Sequence, residues 1–227
     1  MPKTFTFNSK KSSDLGLIVE KATINKTPAR PYDLQKIPGR AGMLIVNFDI
    51  TYSLGCYDFG VNRDAIAECL FGAPSYAKLV DSSETDCYRL AVCTSGQDWD
   101  EQILNFGTAK LVFSCKQFRF LNSGDTKTTL TASGKITNPT AYSSLPYIKI
   151  TGSGNINLFI AGKSYAFVNV GSYIECDSDL QMVYTGASGK SDRANFDTFP
   201  ELVPGDNTVS WTGTASKIEI IPHWRRL

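Results

Sequence analysis

Alternation of apolar and polar residues runs through most of the chain. Such a period of two is typical of a β-strand with one buried and one exposed face. In the first half the alternation predicts five strands, at residues 4–7, 44–52, 88–92, 109–115 and 117–120. Strands therefore dominate the first half of the predicted fold.

The second half shows the same alternation at shorter spacing. It predicts strands at residues 147–150, 156–160, 166–170, 173–176, 180–184, 208–212 and 218–221. Turn-forming residues separate them, at Gly152-Ser153-Gly154, Ala161-Gly162-Lys163 and Pro204-Gly205-Asp206-Asn207. About seven short strands with such turns are typical of a β-sandwich.

One segment has helical periodicity. Asn62 is a suitable N-cap for residues 63–71, Ile66, Cys69 and Leu70 give one apolar face, and Gly72 is a stop signal. A single short helix among many strands leaves the predicted fold class all-β.

A polar segment divides the two halves. Between Gly124 and Pro146 the chain is rich in Thr, Ser, Gly and Asn and has no sustained apolar period, which is typical of a linker or a polar crossover. We therefore predict two domains, residues 1–134 and residues 138–227.

Charge and hydropathy exclude two classes of partner. The 227-residue chain has a formal net charge of +1 and no long run of Lys or Arg, so no nucleic-acid partner is expected. Its longest aliphatic runs, such as residues 43–46, are too short to span a bilayer, and its N-terminus has no apolar signal region. We expect no membrane insertion and folding in a cytoplasm.

The residue types that carry catalysis or bind metals are sparse. Six cysteines occur without a Cys-x-x-Cys pair, and His223 is the single histidine, so zinc spacing is absent; a cytoplasmic origin favours buried free thiols over disulfides. Glu175, Asp177 and Asp179 alternate as calcium ligands can, although a solvated strand edge and turn is the favoured interpretation. Without a nucleophile motif either, we predict no enzyme activity, no cofactor and no metal.

Two further motifs have ordinary structural explanations. Gly152-Ser153-Gly154 is followed by neither a helix nor a Lys-Ser/Thr pair, so it is interpreted as a β-turn rather than a phosphate loop. The tryptophans at positions 99, 211 and 224 could stack on sugars, but Trp211 lies in an alternating strand and is expected to pack in the core or between sheets.

The order of several motifs along the chain carries more information than any one of them. They are Asp14-Leu15-Gly16-Leu17-Ile18-Val19, Ile37-Pro38-Gly39-Arg40-Ala41-Gly42, Tyr88-Arg89-Leu90-Ala91-Val92, Leu111-Val112-Phe113-Ser114-Cys115, Asn138-Pro139-Thr140, Leu145-Pro146-Tyr147-Ile148-Lys149-Ile150-Thr151-Gly152-Ser153-Gly154, Phe199-Pro200-Glu201-Leu202-Val203-Pro204-Gly205-Asp206-Asn207 and Ile221-Pro222-His223-Trp224-Arg225-Arg226-Leu227. In this order the chain resembles, over nearly its whole length, the distal tail protein (Dit) family of bacteriophages with long, non-contractile tails.

The resemblance implies an architecture and a role. The N-terminal β-sandwich-like domain would form a homo-hexameric ring that continues the tail tube, and the C-terminal domain would be a galectin-like β-sandwich. The protein would then be a virion component at the tail tip, assembled in the host bacterial cytoplasm, with the tail tube, the tail-associated proteins and the receptor-binding proteins as partners. No catalysis goes with this role.

The loop of Pro38, Gly39, Arg40 and Gly42 is the candidate ring interface. Arg40 could make a bidentate contact to a neighbouring subunit, whereas the alternative is a tight turn before a strand. The rival function is a carbohydrate-binding, lectin-like protein of cell-wall adhesion. Because His223 follows the last strand, a galectin-like sugar constellation is absent, and we expect the C-terminal domain to be a docking module.

Overall fold

The structure, a computed structural model, describes residues 3–25, 48–57, 59–73, 75–95, 100–103 and 106–227. These residues form two compact units. The first unit ends at Arg119 and also includes Leu227, and the second unit spans Phe120–Arg226. Strands make up most of both, so the predicted all-β, two-part fold class is confirmed.

The first unit is one sheet with a helix against it. Its elements are β1 (Phe5–Phe7), β2 (Lys10–Lys11), a 3₁₀ helix (Ser12–Leu15), β3 (Leu17–Asn25), β4 (Phe48–Tyr57), α1 (Phe59–Phe71), β5 (Ala77–Asp81), β6 (Cys87–Cys93), β7 (Asp100–Ile103) and β8 (Phe106–Leu121). The sheet order is β2-β1-β5-β6-β8-β4-β3, and β7 pairs with β8. A bridge between Lys3 and Val19 connects the β1 end to β3.

Aromatic rings fill the centre of this unit. Phe113 lies with its ring centroid 4.9 Å from that of Phe7, 5.6 Å from that of Phe5 and 5.9 Å from that of Tyr52. All four side chains are buried, because alternate residues of β1, β4 and β8 face the same side of the sheet. This cluster is the core against which the helix packs.

Helix α1 has the predicted apolar face but a different start. Ile66, Cys69 and Leu70 are buried in the core, as predicted. The predicted N-cap is wrong, because the helix begins at Phe59 and Asn62 lies inside it, where its side-chain amide donates to the Tyr57 carbonyl (3.4 Å). The predicted end is confirmed: the helix ends at Phe71, and the Gly72 N–H donates to the Glu68 carbonyl.

The second unit is a sandwich of two layers. Its elements are a 3₁₀ helix (Asn122–Asp125), β9 (Thr128–Leu130), β10 (Gly134–Asn138), β11 (Tyr147–Ile160), β12 (Lys163–Val170), β13 (Tyr173–Asp177), β14 (Met182–Thr185), β15 (Ser188–Gly189), a 3₁₀ helix (Ser191–Arg193), β16 (Ala194–Asn195), β17 (Gly205–Ile221) and β18 (Arg225–Arg226). One layer has the order β9-β17-β11-β13-β14-β15, and the other has the order β10-β17-β11-β12-β16.

Two long strands, β11 and β17, belong to both layers. Each corresponds to two predicted strands, so the prediction of a turn at Gly152-Ser153-Gly154 is wrong: those residues lie inside β11, where the register shifts. A Cβ on Gly152 would lie 2.7 Å from the Ala215 Cα. Gly213 has φ +94°, and a Cβ there would lie 2.3 Å from the Asn155 carbonyl oxygen. Glycine at both positions lets the paired strands bend together.

The segment predicted as a linker is part of the second unit. β9 and β10 both lie within it and pair with β17, so the units divide at Arg119/Phe120, before the predicted boundary at residues 134–138. Polar side chains of this segment make hydrogen bonds inside the second unit. Buried Asn138 donates to the carbonyls of Tyr142 and Leu202 and accepts from the Thr140 N–H. The functional assignment of the two halves stays a prediction.

Candidate assembly surface

The predicted interface residues Pro38, Gly39, Arg40 and Gly42 lie outside the described residues, as do residues 44–47 of a predicted strand and Trp99. The segment that contains the loop connects β3 to β4. These two strands, with β8 and β7, form a continuous part of the first sheet and are the described elements from which an assembly surface can be built.

The register of these four strands is fixed along most of their length. Ile24 of β3 pairs with Ile50 of β4, which in turn pairs with Phe113 of β8. At its beginning β8 pairs with β7 as well, with Thr108 opposite Asp100. The order β7-β8-β4-β3 therefore has β7 at one margin and β3 at the other.

Both margins have an open side. Among the described residues, β3 pairs with β4 on one side and on the other makes only the bridge from Val19 to Lys3. Residues 20–25 thus form a strand edge, and the described part of β7 likewise pairs only with β8. An open edge offers backbone N–H and C=O groups to another strand.

Apolar side chains stand exposed along β3. Ile24 is 44% exposed although its cross-strand partner Ile50 is buried in the core, because no described strand covers it from the other side. Ile18, near the other end of β3, is 40% exposed. Exposed β-branched residues on a strand edge favour pairing with a further strand.

The opposite face of these strands is largely polar, with Ile18 and Val112 as its apolar members. Lys21, Ser53 and Lys110 lie opposite one another on β3, β4 and β8, and none of the three is buried. In the next row, Thr23 lies opposite Thr51. One face of this sheet therefore belongs to the core and the other meets solvent.

Beside this surface, hydrogen bonds hold a carboxylate in place. The buried Tyr52 hydroxyl donates to Asp81 Oδ2 (2.9 Å), and the Ser83 N–H and hydroxyl donate to Asp81 Oδ1 (2.8 and 2.6 Å). Burial alone would raise the pKa of the Asp81 carboxyl, but the hydrogen bonds from Ser83 and Tyr52 outweigh it and leave the pKa below its ordinary value.

An ion-pair group lies nearby in the same unit. Glu84 accepts from Arg89 (3.4 Å) and from Arg119 (2.5 Å), and the Arg89 guanidinium also lies 4.9 Å from the centre of the Phe48 ring. Burial lowers the pKa of Arg89, which the Glu84 charge partly offsets. These contacts connect Glu84 to β6 and β8.

The residues considered for chemistry have structural roles. His223 is half-buried, its ring Nδ1 lies 3.3 Å from the Leu145 carbonyl oxygen, and its backbone N–H donates to the Gly124 carbonyl. Burial raises the pKa of the Cys115 and Cys176 thiols to about 12. Trp211 is partly buried against the core, as predicted, and donates to the Ala215 carbonyl.

Two of the three acidic residues considered as calcium ligands have separate structural partners. Asp177 Oδ1 accepts from the N–H groups of Asp179 and Leu180 in a turn, and Glu175 accepts from the Tyr147 hydroxyl. Within the described ranges, no group of three or more His, Cys, Asp and Glu side chains is arranged to hold a metal ion. No helix in those ranges has the length and hydropathy needed to cross a membrane.

Sequence reasoning missed the β3 edge. Leu17, Ile18, Val19 and Ile24 are strand-forming residues, but a bulge between Val19 and Lys21 breaks their alternation, so no strand was predicted there. The run of β-branched residues was the available signal.

Comparison with solved structures finds a protein with the same fold. The Dit protein (gp 19.1) of phage SPP1, described as a paradigm of the hub adsorption apparatus in phages that infect Gram-positive bacteria, matches with a TM-score of 0.68. The match covers 100% of this chain and 100% of that chain at 11% sequence identity. No family model matches the chain, and no curated protein matches it. The resemblance inferred from the motifs is thus confirmed at the level of the fold: this chain has the fold of a Dit protein.

Proposed function

We propose that this protein is a structural virion component of the tail tip of a bacteriophage. It would assemble into a hexameric ring that links the tail tube to host-adsorption proteins. The observation that carries the proposal is the full-length match to SPP1 Dit, in which both units are matched together. A likeness confined to one β-sandwich would carry little weight, because that architecture hosts many functions.

The open margins of the first unit support ring formation. A ring needs two different surfaces on each subunit, one for each neighbour. The edge of β3 and the edge of β7 lie at opposite margins of the same four-stranded part of the sheet. Pairing of β3 of one subunit with β7 of the next would continue the sheet around the ring and would cover the exposed side chain of Ile24.

The loop of Pro38, Gly39, Arg40 and Gly42 belongs to this proposal as a second contact. In sequence it lies between β3 and β4, the two strands nearest to the proposed margin. An Arg whose carboxylate or carbonyl partner on a neighbour is desolvated contributes far more than an Arg on an exposed rim, where about 0–1 kcal/mol is typical. Arg40 is therefore proposed as an interface residue of the first unit.

The second unit is proposed to dock other tail-tip proteins and not to catalyse a reaction. Its thiol is buried, its histidine is held by backbone groups, and its carboxylates Glu175 and Asp177 are engaged in structural hydrogen bonds. With these contacts, none of these side chains is placed as an activated nucleophile or base.

The test compares the oligomeric state of four chains by negative-stain microscopy and mass photometry at matched concentration, with purified tail-tip partners added. The chains are the wild type, Ile24→Lys, Arg40→Ala and the control Val61→Lys, which puts the same charge on an 85% exposed position of α1. We expect rings from the wild type and the control. Ile24→Lys should abolish them because a charged edge blocks strand pairing.

Arg40→Ala should weaken the rings. A closed ring of six subunits repeats each loss six times, so a loss of about 1 kcal/mol per contact, typical of one hydrogen bond, shifts assembly measurably. Intact rings from folded Ile24→Lys would remove β3 from the interface, and intact rings from Arg40→Ala would remove the loop. No rings from the wild type with the tail-tip partners present would overturn the proposed assembly.

A further inference from the structure

One layer of the second unit carries an outward face of polar and aromatic side chains. We call it the polar face; its members are Tyr147, Lys149 and Thr151 of β11, Tyr173, Glu175 and Asp177 of β13, Tyr184 of β14, Lys217 and Glu219 of β17, and Lys127 just before β9. The alternate residues of the same strands, including Ile148, Ile150, Ile174 and Ile220, are buried in the core. Strand alternation therefore fixes the polar face on the solvent side.

Register aligns these side chains into rows. Glu219, Lys149, Glu175 and Tyr184 lie directly opposite one another on four neighbouring strands. The next row places Lys217, Thr151 and Tyr173 side by side. Neighbouring side chains in such rows stand about 5 Å apart, so acceptors and donors alternate at short spacing.

The charged groups are held in fixed positions. Glu175 accepts from the Tyr147 hydroxyl (2.5 Å) and the Gly186 N–H (3.1 Å). Lys149 Nζ lies 3.7 Å from Glu175 Oε1. The side chain of Glu175 is 12% exposed, as little as in many buried sites, although it lies on an outward face. Because these contacts already restrict its rotamers, a ligand would lose little side-chain entropy in using its remaining lone pairs.

Glu219 repeats this arrangement in the same row. It accepts from Lys127 (2.6 Å) and Lys217 (3.2 Å), and its side chain is 10% exposed. Hydrogen bonds from both lysines lower the pKa of Glu219, whereas burial opposes them. The carboxylate therefore stays ionised.

Charge balance on the polar face argues for a neutral ligand. Lys127, Lys149 and Lys217 match Glu175, Asp177 and Glu219 in number, so neither a polyanion nor a polycation has an electrostatic advantage. The two rows through Lys149 and Thr151 contain no aliphatic side chain, and the row through Tyr147 and Asp177, at the end of the strands, adds Ile221 and the 47% exposed Met182. The apolar part of the face thus lies at its margin, whereas the centre of a protein–protein interface is usually apolar. A hydroxyl group both donates and accepts, so a ligand with many hydroxyls matches alternating carboxylates and ammonium groups.

We propose that the polar face binds a neutral saccharide. Glu175 and Glu219 accept hydrogen bonds from its hydroxyls and Lys149 donates to them, while the rings of Tyr147 and Tyr184 pack against its C–H surfaces, as amphipathic aromatic side chains do. Lys149 Nζ lies 4.2 Å from the centre of the Tyr173 ring, so that ring positions the lysine. This site is in the second unit, and the inference does not depend on ring formation by the first.

The experiment uses the full chain and three neutral tetrasaccharides as probes: chitotetraose, cellotetraose and maltotetraose. Saturation-transfer NMR and isothermal titration are run up to about 10 mM ligand, which detects a Kd of about 1 mM. We expect at least one probe to bind the wild type. Glu175→Gln and Lys149→Met should each weaken that binding about tenfold or more, which is the effect of losing one charge-assisted hydrogen bond.

The matched control is Lys135→Met, which removes a lysine that pairs with Asp206 at the edge of the other layer. It should bind the probe as the wild type does, and circular dichroism should show that all variants are folded. No binding of any probe to the wild type would overturn the proposal. So would binding that Glu175→Gln and Lys149→Met leave unchanged, or that Lys135→Met weakens equally. Docking of a purified tail-tip protein on this face, undisturbed by the probes, would assign the face to a protein partner instead.

Discussion

The two units differ in how their sheets end. In the second unit the margins of both layers are short strands, from the two residues of β15 and β16 to the five of β10. In the first unit a nine-residue strand, β3, lies at a margin with apolar side chains exposed. A short edge strand offers too few backbone hydrogen bonds for stable pairing with another chain, whereas a long edge strand offers enough. Among the described residues, the second unit thus ends in short strands and the first unit in a long one, which is the difference that the proposed ring requires.

The cores of the two units allow the comparison to be tested, because each has its own cluster of buried residues. Phe113→Ala should have the largest effect. It removes a fully buried ring that contacts three other aromatic rings, at a cost of about 3–5 kcal/mol to the first unit. In scanning calorimetry the transition of the first unit should move to much lower temperature while that of the second stays in place. A common shift of both transitions would show one cooperative fold, and exposed Val61→Ala is the control with almost no effect.

Gly213→Ala should have the next largest effect, this time on the second unit. Its Cβ would lie 2.3 Å from the Asn155 carbonyl oxygen, and φ is +94°, so we expect a loss of about 3 kcal/mol or more. Gly162→Ala is the matched control, since Gly162 also has a positive φ (+81°) but open space around it, and should cost about 1–2 kcal/mol. Urea unfolding of the second unit measures both. Equal losses would mean that close approach at the bend contributes nothing.

Tyr52→Phe should destabilise the first unit by about 1 kcal/mol, because it removes the hydrogen bond to Asp81 and little volume. The lowered pKa of Asp81 gives the effect a pH dependence. A carboxylate with a lowered pKa stabilises the fold above its unfolded pKa of about 4, and that contribution disappears as the pH falls through the folded value. The difference between wild type and variant should therefore be complete at neutral pH and shrink below about pH 4. A difference that is the same at pH 3 and pH 7 would exclude Asp81 as the cause.

The smallest change is expected in thiol labelling of the folded protein. Cys115 and Cys176 are buried with a pKa of about 12, so a disulfide reagent at pH 8 should reach them only through unfolding, whereas half-buried Cys93 should react first. Gly213→Ala should accelerate labelling of Cys176 in the second unit and leave that of Cys115 in the first unchanged. Mass spectrometry of labelled peptides follows each thiol. Equal acceleration of both would contradict independent units.

The sequence was sufficient for the fold class and for the buried faces, because alternation records which residues face the core. The prediction from sequence was wrong where one strand belongs to two layers. The polar residues inside β11 were interpreted as a turn, but they form a bend within the strand. Only contacts between distant residues, such as Gly213 and Asn155, distinguish a bend from a turn. The prediction of a linker around Asn138 was wrong for a related reason. Polar residues that satisfy buried backbone groups have the same composition as a linker. The open edge of β3 follows from pairing alone, which local patterns do not record.

The strands shared by the two layers of the second unit also have a mechanical consequence. In a sandwich whose layers share no strand, a pulling force on one layer reaches the other through side-chain packing and through the loops that connect the layers. Here β11 and β17 run unbroken through both layers and pair with each other on both sides of the bend. Tension applied to either layer is therefore carried into the other along two covalently continuous, paired strands, and sliding of one layer over the other requires both strands to deform at the bend.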